Sequence, residues 1–265
     1  MKRLAFLALA AAALLPLPTP AAGKTELTWY GHAAFVLKTP GGTVLAIDPW
    51  LSNPTSPDKE AASKIEKVDF ILVTHAHGDH VGDAIAIAQR TGAKLVAGFD
   101  LANALVQEGY PKDQATAMTS GNIGGTIALN DELSATIVPA SHSSGIRKDG
   151  APVSYGGNPT GALIHVKGGP TVYHTGDTDV ASDMKLVGDR WKIDYMLACI
   201  GGHFTMDPEG AATAAALTRA RTVIPMHFGT FPLLKGTPAA LEKAIQARKG
   251  KAKVLAMKIG ETRAL

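Results

Sequence analysis

A layered α/β sandwich, with sheets covered by helices, is the fold class this sequence predicts, and three observations predict it. The 265 residues are 46% hydrophobic and 18% charged, which is enough apolar material for a full core. Early apolar runs of strand character are joined by glycine turns. Later ones alternate with stretches of helical spacing, a mixture unlike a purely parallel Rossmann sheet.

In chain order, the predicted strands are Glu26–Tyr30, Ala34–Leu37, Thr43–Ile47, Phe70–Val73, Lys94–Ala97, Ala135–Val138, Ala162–Val166, Thr171–Tyr173, Tyr195–Ala198 and Thr222–Pro225. Gly41-Gly42 and Gly168-Gly169 separate neighbouring runs as hairpin turns do. Helical spacing covers Val81–Arg90, Leu101–Glu108, Pro208–Thr218 and Pro238–Ala247, the last two opening on a proline that a first helical turn tolerates. No Gly-x-Gly-x-x-Gly follows a strand and there is no P-loop, so nucleotide-binding folds of those types are excluded. The segment Ser141–Pro159, rich in glycine and proline, reads as a loop, either shaping access to a site or simply connecting two strands.

The first residues differ from the rest. Lys2 and Arg3 precede the uncharged run from Leu4 to Leu15, then Pro16, Pro18, Pro20 and the small residues Ala21-Ala22-Gly23. That is the layout of a secretory signal peptide over residues 1–23, leaving residues 24–265 as one catalytic domain. The apolar run is shorter than the roughly 20 residues of a spanning helix. The expectation is export to the periplasm or the medium, with no stable membrane insertion after cleavage. Formal charge is +3, and loss of Lys2 and Arg3 brings it to +1, which gives no electrostatic case for nucleic-acid binding. Cys199 is the only cysteine and lies in an apolar run, so it reads as a buried small residue with no disulfide partner in the chain.

Chemistry concentrates in Thr74–His80, which reads Thr-His-Ala-His-Gly-Asp-His. Three imidazoles and a carboxylate in six positions exceed what one tetrahedral site takes from one segment, so two adjacent divalent ions are the natural reading. His142, Asp177 and His227 each follow a predicted strand, where α/β sheets gather functional groups. The assignment places His75, His77 and His142 on one ion and Asp79, His80 and His227 on the other, with Asp177 bridging. Zinc suits the histidine-rich set, with Mn2+ or Fe2+ as alternatives. A water or hydroxide shared by the ions would attack an electrophilic centre, and Asp79 and Asp177 are the catalytic candidates for taking its proton. Asp48 is a candidate to fix the tautomer of a ligand histidine, against the alternative of an Asp-Pro turn. His32 and His203 are candidates for the substrate pocket. His165, His174, Trp29, Trp50 and Phe204 read as structural.

These residues resemble the metallo-β-lactamase superfamily, with its His-x-His-x-Asp-His signature followed by distant His, Asp and His. More narrowly, the chain resembles a metal-dependent hydrolase family related to the ascorbate-6-phosphate lactonases. The resembling pieces are Tyr30-Gly31-His32, Ile47-Asp48-Pro49, Thr74–His80, His142-Ser143-Ser144, His174 to Thr178, Gly201 to Met206 and Pro225-Met226-His227. The resemblance implies a four-layer αββα sandwich with a dinuclear centre between the sheet edges. Flavodiiron relatives would have glutamate where His77 stands, and secreted zinc β-lactamases lack a bridging aspartate corresponding to Asp177. The implied activity is hydrolysis of a small ester, lactone or phosphoester. The competing reading is a non-catalytic metal-containing protein that binds or senses a small molecule in the cell envelope.

Overall fold

The computed structural model describes residues 23–147 and 150–265. The signal-peptide reading therefore lies outside the described residues, apart from Gly23. Among the described residues no helix is long and apolar enough to cross a membrane.

The first half of the chain builds one sheet. Strands β1 (Glu26–Trp29), β2 (Phe35–Lys38) and β3 (Val44–Ile47) form an antiparallel meander. A short helix α1 (Ala61–Lys64) leads to β4 (Phe70–Leu72), which joins β3 in parallel. Helices α2 (Gly78–Val81) and α3 (Ala84–Thr91) cross to β5 (Lys94–Gly98), and α4 (Phe99–Gln107) crosses to β6 (Ser120–Gly121).

The second half builds the other sheet. It contains β7 (Thr126–Ala128), β8 (Leu133–Pro139), a small hairpin of β9 (Gly145–Ile146) and β10 (Ser154–Tyr155), then β11 (Thr160–Val166) and β12 (Thr171–His174). Helix α5 (Asp183–Arg190), β13 (Tyr195–Cys199), α6 (Pro208–Thr218), β14 (Thr222–Met226), α7 (Pro238–Ala247) and β15 (Lys253–Val254) complete it. The final strand β16 (Thr262–Ala264) returns to pair with β1. The sheet orders are β16-β1-β2-β3-β4-β5-β6 and β15-β14-β13-β12-β11-β8-β7.

Strand periodicity explains the layering. Leu27, Trp29, Phe35, Leu37, Leu45, Ile47, Phe70 and Leu72 alternate onto the inner face and join one core with Ile137, Leu163, Val172 and Tyr173 of the second sheet. The intervening residues Ala34, Val44, Ala46 and Ile71 face the other way and pack with Ile87, Leu101 and Leu105 of α3 and α4. The second sheet's outer face is covered by Met184 and Val187 of α5, Ala211 and Ala215 of α6, and Leu241 and Ile245 of α7. The result is the four-layer αββα sandwich.

Both proline-led helices begin as the sequence predicts. Asp207 caps α6 by accepting from Gly210 N at 2.8 Å, and Thr237 caps α7 by accepting from Ala240 N at 3.2 Å. The expected helix Val81–Arg90 is instead split. One turn starts at Gly78, stops at Gly82, and α3 begins at Ala84. Gly82 has φ +42°, and a Cβ there would stand 2.5 Å from Trp50 Cα. Beside it Asp83 accepts from Ser52 N and Ser52 Oγ, both at 2.9 Å, so the break docks the chain onto the loop after Asp48.

Candidate metal centre

The centre assembles at the C-terminal ends of strands in both sheets. After β4 the chain bends at His75 and Ala76, and His77, in extended conformation, occupies the N-cap of α2, so Asp79 and His80 fall in that helix's single turn. From the second sheet, His142 follows β8, Asp177 follows β12 and His227 follows β14. Gly176 lets Asp177 reach the centre: its φ is +61°, and a Cβ would lie 2.4 Å from Thr160 O.

All seven first-choice residues come together. His77 Nδ1 lies 3.0 Å from His75 Nε2 and 3.3 Å from His142 Nε2. Asp177 Oδ2 lies 3.3 Å from His80 Nε2, 3.7 Å from His142 Nε2 and 3.0 Å from His227 Nε2. His227 Nε2 is also 3.7 Å from Asp79 Oδ2. The donor atoms of His75, His77 and His142 all fall within 4.8 Å of one another, as do those of His32, Asp79, His80 and His227.

Partners behind the imidazoles fix which nitrogen faces inward. Asp48 Oδ2 is 2.7 Å from His80 Nδ1, and because a carboxylate only accepts, Nδ1–H donates and Nε2 is the nitrogen turned toward the centre. Thr74 Oγ1 donates to Asp48 Oδ2 at 2.7 Å and so accepts from His75 Nδ1 at 3.1 Å, freeing His75 Nε2 in the same way. Sequence reasoning missed Thr74, whose hydroxyl gains a role only when Asp48 folds against it. It also missed Thr230, which holds His32 Nδ1 at 2.8 Å.

His32 stands among the second group of donors, yet its Nε2 is 2.9 Å from Asp79 Oδ2. Burial pushes its pKa down to about 4, so the ring is neutral, donating Nε2–H to Asp79 and accepting from Thr230. Burial likewise holds His75 well below the ordinary histidine value. His227 goes the other way: burial would lower it, but the Asp177 charge beside it raises it to about 8. Burial would raise Asp79, but the facing His227 and the hydrogen-bonded His32 outweigh it and hold the carboxyl below its usual range.

Backbone strain gathers at the same place. His32, Asp48 and His227 have φ of +50°, +42° and +57°, a region that residues with a Cβ seldom adopt.

Other candidates fall elsewhere. His203 is exposed, stacks edge-on against Phe204 at 4.4 Å, and lines a separate depression with Asp207, Leu233 and Gly236. His174 is buried; its Nε2 bonds Ala33 O at 3.1 Å and its Nδ1 accepts from Gly176 N. His165 bonds Thr136 Oγ1 at 3.0 Å within the sheet. Cys199 is buried and its thiol is pushed up to about 11 by burial, which makes it inert. Within Ser141–Pro159, Ser144 Oγ accepts from Ala76 N at 3.1 Å and donates to Gly156 O at 3.0 Å, tying that loop to the histidine-rich turn. A 580 Å³ cleft there is lined by His77, Asp79 and Ser143 and by apolar Val81, Ile85 and Leu105.

The donors fit divalent metal. A tetrahedral zinc with nitrogen ligands at 2.0–2.1 Å spaces those ligands about 3.3 Å apart, close to the separations around His77. His80 Nε2, Asp177 Oδ1 and His227 Nε2 are buried without a hydrogen-bond partner among the described residues. Such orphaned polar atoms are costly unless something positive binds them.

A family model described as the β-lactamase superfamily domain matches residues 43–228. A UPF0173 metal-dependent hydrolase of Anaeromyxobacter dehalogenans is 60% identical over 245 residues, covering 92% of this chain and 88% of the relative. One of Thermodesulfovibrio yellowstonii is 52% identical over 267 residues, covering 99% and 98%. Among solved structures, a metallo hydrolase from Ignicoccus hospitalis aligns with TM-score 0.79 at 37% identity, covering 92% of this chain and 99% of that one. An isothiocyanate hydrolase from Delia radicum gut bacteria shares the fold, with TM-score 0.68 at 18% identity, covering 91% and 98%.

Proposed function

This chain belongs to the UPF0173 metal-dependent hydrolase family of the β-lactamase superfamily, and we propose that it hydrolyses a small ester, lactone or phosphoester at a dinuclear centre. His75, His77 and His142 would hold one ion, Asp79, His80 and His227 the other, with Asp177 between them. One observation carries this reading: a single carboxylate oxygen, Asp177 Oδ2, stands within 3.7 Å of His142 in one histidine group and of His80 and His227 in the other. When bound, zinc or a similar divalent pair supplies an activated water and positive charge for the substrate oxygen.

The protein's own part is positioning and proton handling. Asp48 and Thr74 accept from Nδ1 of His80 and His75, which turns Nε2 of each ring toward the centre. His32, anchored by Thr230, orients Asp79 and so acts on the centre through that carboxylate. Asp79, the more exposed of the two aspartates, and Asp177 are the groups placed to accept a proton. The apolar side of the 580 Å³ cleft suits the carbon skeleton of a small substrate.

Metal analysis and a substrate screen test the assignment together. Wild-type protein is expected to carry two ions and to cleave a member of a panel of lactones, thioesters and phosphodiesters. His77→Ala and Asp177→Ala are expected to lose metal and turnover together. Retention of two ions with full turnover in either variant would refute it. Export is proposed as well, and appearance of the full-length precursor in the cytosol alone would refute that.

A further inference from the structure

A second feature lies at the other end of the second sheet. Thr222, the first residue of β14, lines an 860 Å³ groove, whereas His227 follows the strand's last residue. Five residue steps along a strand separate the two by about 16 Å. The groove runs between the C-terminal ends of α6 and α7 and the edge strand β15.

Its lining segregates charge. Arg219, Arg221, Arg248, Lys249, Lys251 and Lys253 surround it, and no carboxylate lines it, in a chain with 26 basic and 23 acidic residues. The three arginines have partners outside the groove: Asp189 for Arg219, Asp194 for Arg221 at 3.2 Å, and Glu209 for Arg248 at 3.5 Å. Lys249, Lys251 and Lys253 are exposed and have no carboxylate partner among the described residues. The floor is apolar, made of Ala212, Ala215, Ala220 and Ile245, with exposed Ala216 at its side.

Ordinary structural roles cover part of this. Cations near helix C-termini offset the helix dipole, which suits Arg219 and Arg248, and an edge lysine such as Lys253 discourages strand pairing. Neither role calls for a concave methyl-lined floor beneath the charges. A small inorganic anion would leave that floor in water. Single-stranded nucleic acid would want aromatic rings to stack on, and none lines the groove. A ligand that is anionic at one end and aliphatic at the other satisfies rim and floor together.

We propose that this groove binds a single-chain anionic amphiphile, its phosphate or carboxylate head held by Lys249, Lys251 and Lys253 and its chain laid on the alanine floor. The site is separate from the metal centre and does not depend on what that centre hydrolyses.

Calorimetric titration of the full chain tests it with three probes: dodecyl phosphate below its micelle-forming concentration, inorganic phosphate, and phosphatidylglycerol vesicles. Two variants accompany them. One combines Lys249→Asn, Lys251→Gln and Lys253→Gln, asparagine being chosen because Lys249 has φ +54°. The other, Ala216→Trp, keeps every charge and fills the floor. Dodecyl phosphate is expected to bind the wild type at least about tenfold more tightly than either variant, and at least about tenfold more tightly than inorganic phosphate does. Unchanged metal content and melting temperature in the variants show that the fold is intact. Equal affinity for inorganic and dodecyl phosphate, binding to vesicles alone, or variants that bind as the wild type does would each overturn the proposal. The Ala216→Trp arm keeps the test decisive should the triple variant fail to fold.

Discussion

Asp48 and His80 meet at 2.7 Å, Oδ2 to Nδ1, with both side chains fully buried. The same carboxylate accepts from Thr74 N at 2.8 Å and from Thr74 Oγ1, so it joins the end of β4 to an imidazole whose other nitrogen faces the centre. Asp48 thus orients the His80 imidazole without itself joining the cluster of inward-facing donors.

Replacement of Asp48 by asparagine is expected to weaken metal retention about 10- to 100-fold, the range usual for partners of ligand histidines. Competition with a chelator measures this. Unaltered retention would show that His80 holds its tautomer without help.

Thr230→Val is a subtler change. The hydroxyl donates to His32 Nδ1 inside the protein, and its loss leaves a buried acceptor unpaired, at a cost of about 1–3 kcal/mol in urea unfolding. Nitrogen NMR of the His32 ring is expected to show a single Nε2–H tautomer in the wild type and a mixture in the variant. A ring that keeps one tautomer would mean that Asp79 alone sets it.

Gly82→Ala is expected to destabilise by about 2–4 kcal/mol, because φ is positive and the new Cβ meets Trp50 backbone and side chain at 2.5–2.6 Å. Denaturant midpoints report this. A neutral result would mean that α2 and α3 can shift on the Trp50 loop without penalty.

Glu132 links the two sheets at their turns. It accepts from Thr39 Oγ1 at 2.8 Å, from Gly41 N at 2.7 Å and from Thr43 Oγ1 at 2.6 Å. The hydrogen bond from Thr43, followed by that from Thr39, lowers its pKa. A depressed folded-state value means that the stabilisation is complete above the unfolded value of about 4.3 and fades as pH falls through the folded one. Relative to the wild type, Glu132→Gln should lose about 1–2 kcal/mol at pH 7, discounted for partial exposure, and the difference should begin to narrow below about pH 4.3 and close once pH has fallen past the depressed folded value. A gap that persists in acid would assign the effect to shape rather than charge.

Much of this architecture was legible in the chain. Gly41-Gly42 and Gly168-Gly169 do turn the hairpins β2–β3 and β11–β12, and Pro208 and Pro238 do open α6 and α7. The elements that escaped lack a local signal. Helix α5 buries only Met184 and Val187, and β16 is exposed throughout, so neither shows apolar periodicity. At the centre, position after a strand pointed to His142, Asp177 and His227, but only beside the Thr74–His80 cluster and the resemblance to the metallo-β-lactamase signature did it single them out. Thr74 and Thr230 could not be found that way, because a threonine hydroxyl looks the same wherever it stands until distant segments fold against it. His203 was adjacent in motif but not in space, since the turn at Gly202 sends it to the surface.

The left-handed backbone at His32, Asp48 and His227 has a further corollary. Glycine would relax the local φ at each position, but it would also empty a fully buried volume and strand neighbours such as Thr74 and Thr230 without their partners. Conformational strain and the contacts that hold it therefore come as one package. Relieving the first by trimming the side chain should cost heat resistance instead of adding to it.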